Sequence, residues 1–132
     1  MGKGSETVTN VKKIGSDFER EFCGMLTEHG FWNHFFTPDA RGAQPFDVIA
    51  VREGRSFAID CKTCVANNFT FDRMEDNQLF AFDRWANCGN GMPWIAVKHN
   101  DEVYMLSYYQ LGVKGKLKIS ECPTFDEWVK EH

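Results

Sequence analysis

The pattern that organises the chain lies between residues 46 and 62. Two runs rich in Val, Ile, Phe and Ala, Phe46-Asp47-Val48-Ile49-Ala50-Val51 and Ser56-Phe57-Ala58-Ile59-Asp60-Cys61-Lys62, flank the polar break Arg52-Glu53-Gly54-Arg55. This predicts a β-hairpin. If Val51 pairs with Ser56, the numbers of paired residues keep a constant sum, and Asp47 falls opposite Asp60. Lys62 then shares the face of Asp60, because strand side chains alternate with period two.

Upstream the period changes to that of a helix. Ser16 and Glu19 form a Ser-x-x-Glu capping box that opens a helix ending near Gly30, with Phe18, Phe22, Met25 and Leu26 as its apolar stripe. At about 100° per residue Glu19 falls beside Leu26 at the stripe's edge, and Arg20 points nearly away from it. Glu19 therefore either caps the helix or leans towards the hairpin carboxylates. Residues 31–36 predict a first strand, followed by a loop over 37–45 that holds two Pro and one Gly. Asp72 and Glu75 start a second helix that runs towards Cys88 and stops at Gly89-Asn90-Gly91. Its buried stripe is Leu79, Phe82, Trp85 and Ala86, and Gln78 lies on that stripe one turn before Phe82. Residues 93–98 and 103–107 form a second hairpin around Asn100-Asp101, and Pro123-Thr124-Phe125-Asp126-Glu127 opens a short terminal helix.

Composition narrows the class. The 132 residues are 42% hydrophobic and 14% aromatic, which fits one globular domain over 15–132 behind a flexible arm at 1–14. No apolar run approaches the roughly 20 residues of a membrane span, and the polar first residues are no signal peptide, so a cytoplasmic protein is expected. Five cysteines, an odd number without regular spacing, suit a reducing compartment. Cys61-x-x-Cys64 lacks a second ligand pair for zinc, and His34 has no second His at a useful spacing.

Charge brings in the chemistry. Two carboxylates facing each other across a strand pair have Cβ atoms about 5 Å apart, a repulsion of ~3 kcal/mol at an effective dielectric of 20. A divalent cation would turn that repulsion into a binding site, and hard oxygen donors suit magnesium or manganese. Lys62 adds a fixed positive charge, and the set suits phosphodiester hydrolysis. The competing account is an ordinary Asp60–Lys62 ion pair, with Asp47 capping a strand. Gln78 needs partners on its apolar face and would find them either in the hairpin site or in the backbone. Arg41, in the first loop, is a phosphate contact or a surface charge; Lys12 and Lys13 belong to a solvated tail or to an arm that reaches a phosphate backbone. The alternating Lys114, Lys116 and Lys118 mark either an edge strand guarded by lysines or a DNA-facing ribbon. The net charge of −4 is unusual for a nucleic-acid enzyme, although acidic metal ligands count as negative until their ion is bound.

The order helix, three strands, helix, two strands, with Glu19, Asp47, Asp60-x-Lys62 and Gln78 in sequence, resembles the PD-(D/E)XK nuclease superfamily. It is most similar to the archaeal-type and phage Holliday-junction resolvases, through Gly15-Ser16-Asp17-Phe18-Glu19-Arg20-Glu21, Gly30-Phe31, Phe46-Asp47-Val48-Ile49-Ala50 and Ile59-Asp60-Cys61-Lys62. The likeness covers about residues 14–86. It implies an α/β restriction-endonuclease-like core, a central mixed sheet flanked by helices (αβββαββ). It further implies Glu19, Asp47, Asp60 and the backbone carbonyl of Cys61 as ligands to Mg2+, with Mn2+ as substitute. By the same resemblance Lys62 positions the attacking water, and Arg20 and Arg41 contact phosphates. The resolvases more often carry Glu where this chain has Asp60, and their surfaces are usually basic.

The activity so implied is metal-dependent endonucleolytic hydrolysis of DNA in recombination or repair, on a four-way junction. Two strand cuts in a symmetric junction imply a homodimer. A restriction-like or repair endonuclease on duplex, nicked or flap DNA, and a non-catalytic DNA-binding module of the same fold, are the alternatives. The host is expected to be a bacterial or archaeal cell, or a phage.

Overall fold

A computed structural model describes residues 17–37 and 44–132. Helix α1 (17–28) leads to β1 (Trp32–Phe35), β2 (Val48–Arg52), β3 (Arg55–Thr63) and the short β4 (Asn68–Thr70). Helix α2 (Asp76–Asn87) follows, then β5 (Trp94–His99), β6 (Glu102–Ser107), α3 (Tyr108–Lys114), β7 (Lys116–Lys118) and α4 (Phe125–Glu131). The main sheet has the order β1-β2-β3-β5-β6, and β4 pairs with β7 in a separate two-stranded ribbon. Only β3 and β5 run parallel; α2 lies in the crossover that a parallel pair requires.

The hairpin register is the expected one, with Val51 opposite Ser56 and Val48 opposite Ile59. Its turn, Glu53-Gly54, has both φ values positive (52° and 78°), the two-residue geometry that matches the twist of the strands it joins. Asn100-Asp101 repeats the device between β5 and β6, at 50° and 61°.

Alternation along the central strands divides the core between two faces. Phe57, Ile59, Val48, Ala50, Ala96 and Met105 point towards α1 and α4, where Phe22, Leu26, Phe125 and Trp128 bury them. Ala58, Ile95, Val97 and Leu106 point the other way, onto Phe82 of α2, Leu111 of α3 and the ribbon residues Phe69 and Leu117. Asp60 and Lys62, two and four places beyond Ala58, are on this second face.

The elements differ from expectation in three places. Helix α2 begins at Asp76 with Glu75 as its N-cap, because the Glu75 N–H donates to Gln78 Oε1 at 3.0 Å, whereas Asp72 sits in a 3-10 turn, bonded to Thr70. Helix α3 was not expected: it is short and contains Gly112 and Val113, poor helix formers, but Tyr108 and Leu111 are buried and Ser107 caps it. The lysine-rich segment is a strand, β7, as expected, but its partner β4 was not expected. Ser16, the first half of the expected capping box, lies outside the described residues.

Candidate active site

The site forms where β2 and β3 part. The ladder ends at Val48 and Ile59, so Asp47 stands one residue ahead of β2 rather than in it, a correction to the expected cross-strand pair. Its main chain still pairs with the first strand's side, Phe36 N–H donating to Asp47 O at 2.8 Å. Its side chain turns inward and replaces the missing ladder acceptor: Cys61 N–H donates to Asp47 Oδ2 at 2.8 Å. Both residues are buried, with Asp47 5% and Asp60 0% exposed. The carboxyls are nevertheless close enough for Asp47 to disfavour the charged forms of both Asp60 and Glu19.

Electrostatics follow from that crowding. Burial, then the neighbouring Asp47, hold the Asp60 carboxyl well above its ordinary range, and Lys62 opposes them. Glu19, half-buried on α1, is pushed up to about 7 by burial first and by Asp47 next. The field of Asp47 therefore reaches Glu19. Lys62 Nζ stands 3.3 Å from Asp60 Oδ2, yet that oxygen has no hydrogen-bond partner. The ammonium is close enough to attract it but is not aimed at it.

Gln78 meets both descriptions the sequence allowed. Its Nε2 donates to Asp60 Oδ1 at 3.1 Å, while its Oε1 accepts from Lys62 Nζ at 3.2 Å and from Glu75 N–H at 3.0 Å. One amide thus starts α2 and ties it to Asp60 and Lys62 of β3. Gln44 was missed by sequence reasoning. Its Nε2 donates to Asp47 Oδ1 at 2.6 Å, its carbonyl accepts from Asn77 Nδ2 at 2.6 Å, and its own Oε1 is buried without a partner. No periodicity marks a residue in a Pro-rich loop; its position three residues before a buried Asp was the available hint.

The donors fit a hard divalent cation. A fully buried carboxylate oxygen without a hydrogen-bond partner, repelled by the Asp47 carboxylate and offset by one ammonium at 3.3 Å, leaves room for further positive charge. Among the described residues no three His, Cys, Asp or Glu side chains form a ready-made cage, and donors from Gln44 and Cys61 engage both Asp47 oxygens. An open site with few protein ligands suits an ion that retains much of its own hydration. Arg20 is exposed on α1; Lys12, Lys13 and Arg41 lie outside the described residues. Cys64 donates its thiol to backbone carbonyls and accepts from Arg73, and takes no part in the site.

A mixed five-stranded sheet between helices, carrying an Asp, an Asp-x-Lys and a helix Gln at its central divide, is the core of the PD-(D/E)XK nuclease superfamily. The family model for the archaeal Holliday junction resolvase, Hjc, matches residues 10–123, and the chain belongs to that family. It is 29% identical over 102 residues to the crossover junction endodeoxyribonuclease Hjc of Methanocaldococcus jannaschii, covering 77% of this chain and 71% of that one. The 1.6 Å structure of Archaeoglobus fulgidus Hjc, a Holliday junction resolvase, matches with a TM-score of 0.66 over 87% of this chain and 97% of the other. At 16% identity that match speaks for the fold. Dependence on a divalent metal goes with the family. Among the described residues no helix is long and apolar enough to cross a membrane.

Proposed function

We propose that the chain is an endodeoxyribonuclease that cuts four-way DNA junctions with Mg2+, or Mn2+ in its place, at the site built from Glu19, Asp47, Asp60, Lys62 and Gln78. The observation that carries this is the buried, unpartnered Asp60 Oδ2, crowded by Asp47 and 3.3 Å from Lys62 Nζ. Glu19, Asp47, Asp60 and the Cys61 carbonyl are the proposed ligands. When bound, the cation lowers the pKa of a coordinated water and neutralises phosphate oxygens as charge develops.

The chain's own groups then have distinct tasks. Lys62, 3.3 Å from Asp60 Oδ2, holds a water or a phosphate oxygen by hydrogen bonding. Gln78 fixes Lys62 and Asp60 relative to each other through one amide. Gln44 holds Asp47, leaving the Cys61 N–H satisfied and its carbonyl available. Arg20, exposed one residue from Glu19, is a proposed phosphate contact, as are Lys12, Lys13 and Arg41. Two symmetric cuts need two such sites, so a homodimer is the expected working form, in the cytoplasm where the DNA is.

The deciding experiment incubates labelled four-way junction, linear duplex, nicked, flap and single-stranded DNA with the protein, with and without Mg2+. Junction cutting that requires the cation and is lost in Asp60→Asn is expected. Cutting that survives Asp60→Asn would sink the proposed site, and preference for duplex over junction would sink the substrate assignment. Sedimentation of the protein alone reads the oligomeric state.

A further inference from the structure

The catalytic site leaves the strongest cluster of cations in the described chain unused. Lys116 and Lys118 are exposed on β7 while Leu117 between them is buried, so both amines leave the ribbon on one face. Their cross-strand neighbours on that face are Thr70 and Asn68. Lys114 ends α3, and Gly115, in the left-handed conformation at φ 78°, turns the chain so that Lys114 joins them. Together with Asn68, Gln110 and the carboxylate of Glu121, the three lysines line a concave surface of about 540 Å3. No Asp or Glu occurs from Val103 to Ser120. Among the described residues, the ion pairs involve other groups.

The ribbon is fixed to the segment that joins the catalytic elements. Phe71 N–H donates to Gly115 O at 2.9 Å, Ile119 N–H donates to Asn67 O at 2.9 Å, and Asn67 Nδ2 donates to Ser120 Oγ at 2.8 Å. This segment runs from Lys62 on β3 to Gln78 on α2. Six residues separate Lys62 from Asn68, a reach of at most ~22 Å. One turn of duplex DNA is about 34 Å long, so the ribbon lies within one turn's length of a duplex seated at the site. Arg52 and Arg55 cannot serve in this way: both donate to backbone carbonyls at the opposite end of β3.

We propose that the β4–β7 ribbon is a second DNA contact, at which Lys114, Lys116 and Lys118 hold the phosphate backbone of the duplex arm flanking the cut, with Asn68 and Gln110 as neutral hydrogen-bonding partners. The assignment rests on the nuclease function proposed above and accounts for how a chain of net charge −4 retains a polyanion. Recognition there is of phosphate, independent of sequence. The competing role for such lysines, guarding a strand edge against pairing with another chain, needs charge of either sign; phosphate binding needs positive charge.

The test measures anisotropy of fluorescein-labelled four-way junction and linear duplex without divalent cation, from about 50 to 200 mM KCl. In the triple variant K114A/K116A/K118A the slope of log Kd against log salt becomes shallower by about 2 to 3, and Kd at the lowest salt rises about tenfold or more on both DNAs. K116E/K118E keeps a charged edge yet weakens binding at least as much, while K130A, on α4, leaves the slope unchanged. Thermal melts of each variant confirm folding. Binding by the triple variant within twofold of wild type, with the same slope, overturns the proposal. Junction cleavage by the wild type is scored separately. Cutting with an unaffected triple variant removes the ribbon and leaves the nuclease, whereas ribbon-dependent binding without cutting does the reverse.

Discussion

The two ends of β3 obey the same ladder and meet opposite fates. At the end nearest the hairpin turn, Phe57 packs edge-on against Trp128 at 5.1 Å and His132 at 5.7 Å, and Trp128 stacks on His132 at 4.7 Å. Arg52 closes that end by donating to the carbonyls of His29 and Val129, with its guanidinium 4.5 Å over the Phe31 ring. The polar leftover there is a neutral donor, Trp128 Nε1, together with Arg52 Nε. Five residues along the strand from Arg55, the partner of Arg52, Asp60 is fully buried beside Asp47 with an oxygen, Oδ2, that accepts no hydrogen bond. A strand able to build an aromatic stack at one end does not need buried like charges at the other for packing. The contrast locates function where local rules are broken and stability where they are kept.

One substitution at each end gives the largest effects and should exchange readouts. Asp60→Asn removes a proposed ligand and is expected to lower junction cleavage on the order of 10³-fold, about 4 kcal/mol in the barrier. The same change relieves the like-charge contact, so the metal-free melting temperature at neutral pH should rise or hold. Trp128→Ala is expected to cost ~3 to 5 kcal/mol of stability, read by denaturant titration, through a cavity at the centre of the aromatic stack. Its cleavage rate, measured on the folded fraction, should stay close to wild type. If Asp60→Asn proves strongly destabilising instead, the carboxylate is structural and the contrast between the two ends collapses.

A smaller effect, in pH, sharpens the comparison. Glu19 has a folded pKa of about 7 against an ordinary 4.5, and that of Asp60 is also raised. The folded state then binds these protons more tightly than the unfolded one, so their contribution to stability is complete below about pH 4 and is lost as pH rises through 7. Metal-free protein should therefore melt at a lower temperature at pH 8 than at pH 5.5. A divalent cation binds the ionised carboxylates, and the stabilisation it gives should be larger at pH 8. Wild-type protein should show this crossing, and Asp60→Asn should flatten it.

The two ends also differed in how far the sequence revealed them. Strict alternation and a polar break fixed the Val51–Ser56 register, and with it the common face of Asp60 and Lys62, because a one-residue slip would invert every buried position. Helical spacing put Gln78 on the inner face of α2, and it left Glu19 open between a helix cap and the site. What stayed hidden depended on tertiary partners. The displacement of Asp47 from the ladder arises from its side chain taking the Cys61 N–H, which no pattern in one strand encodes. Helix α3 owes its existence to buried Tyr108 and Leu111 rather than to propensity, and the carbonyl partners of Arg52 and Arg55, at the chain's far end, are beyond the reach of any local pattern.

The smallest effect concerns Gln44, which separates a strained site from a supported one. Its Nε2 donates to Asp47 Oδ1 at 2.6 Å, and Asn77 of α2 holds its backbone, so the loop before β2 positions Asp47 from outside the sheet. A hydrogen bond to a charged group contributes about 1.5 to 3 kcal/mol. Gln44→Ala removes that bond without removing a carboxylate, so the midpoint of a Mg2+ titration of junction cleavage should shift roughly tenfold upward, with little change at saturating cation. Gln44→Glu would face Asp47 with another negative charge and should lower the metal-free melting temperature, with the midpoint recovering only if the new carboxylate itself binds the ion. A midpoint unmoved in Gln44→Ala would mean that the Cys61 N–H alone orients Asp47, and that the reactive end of β3 is held by the sheet in the same way as its quiet end.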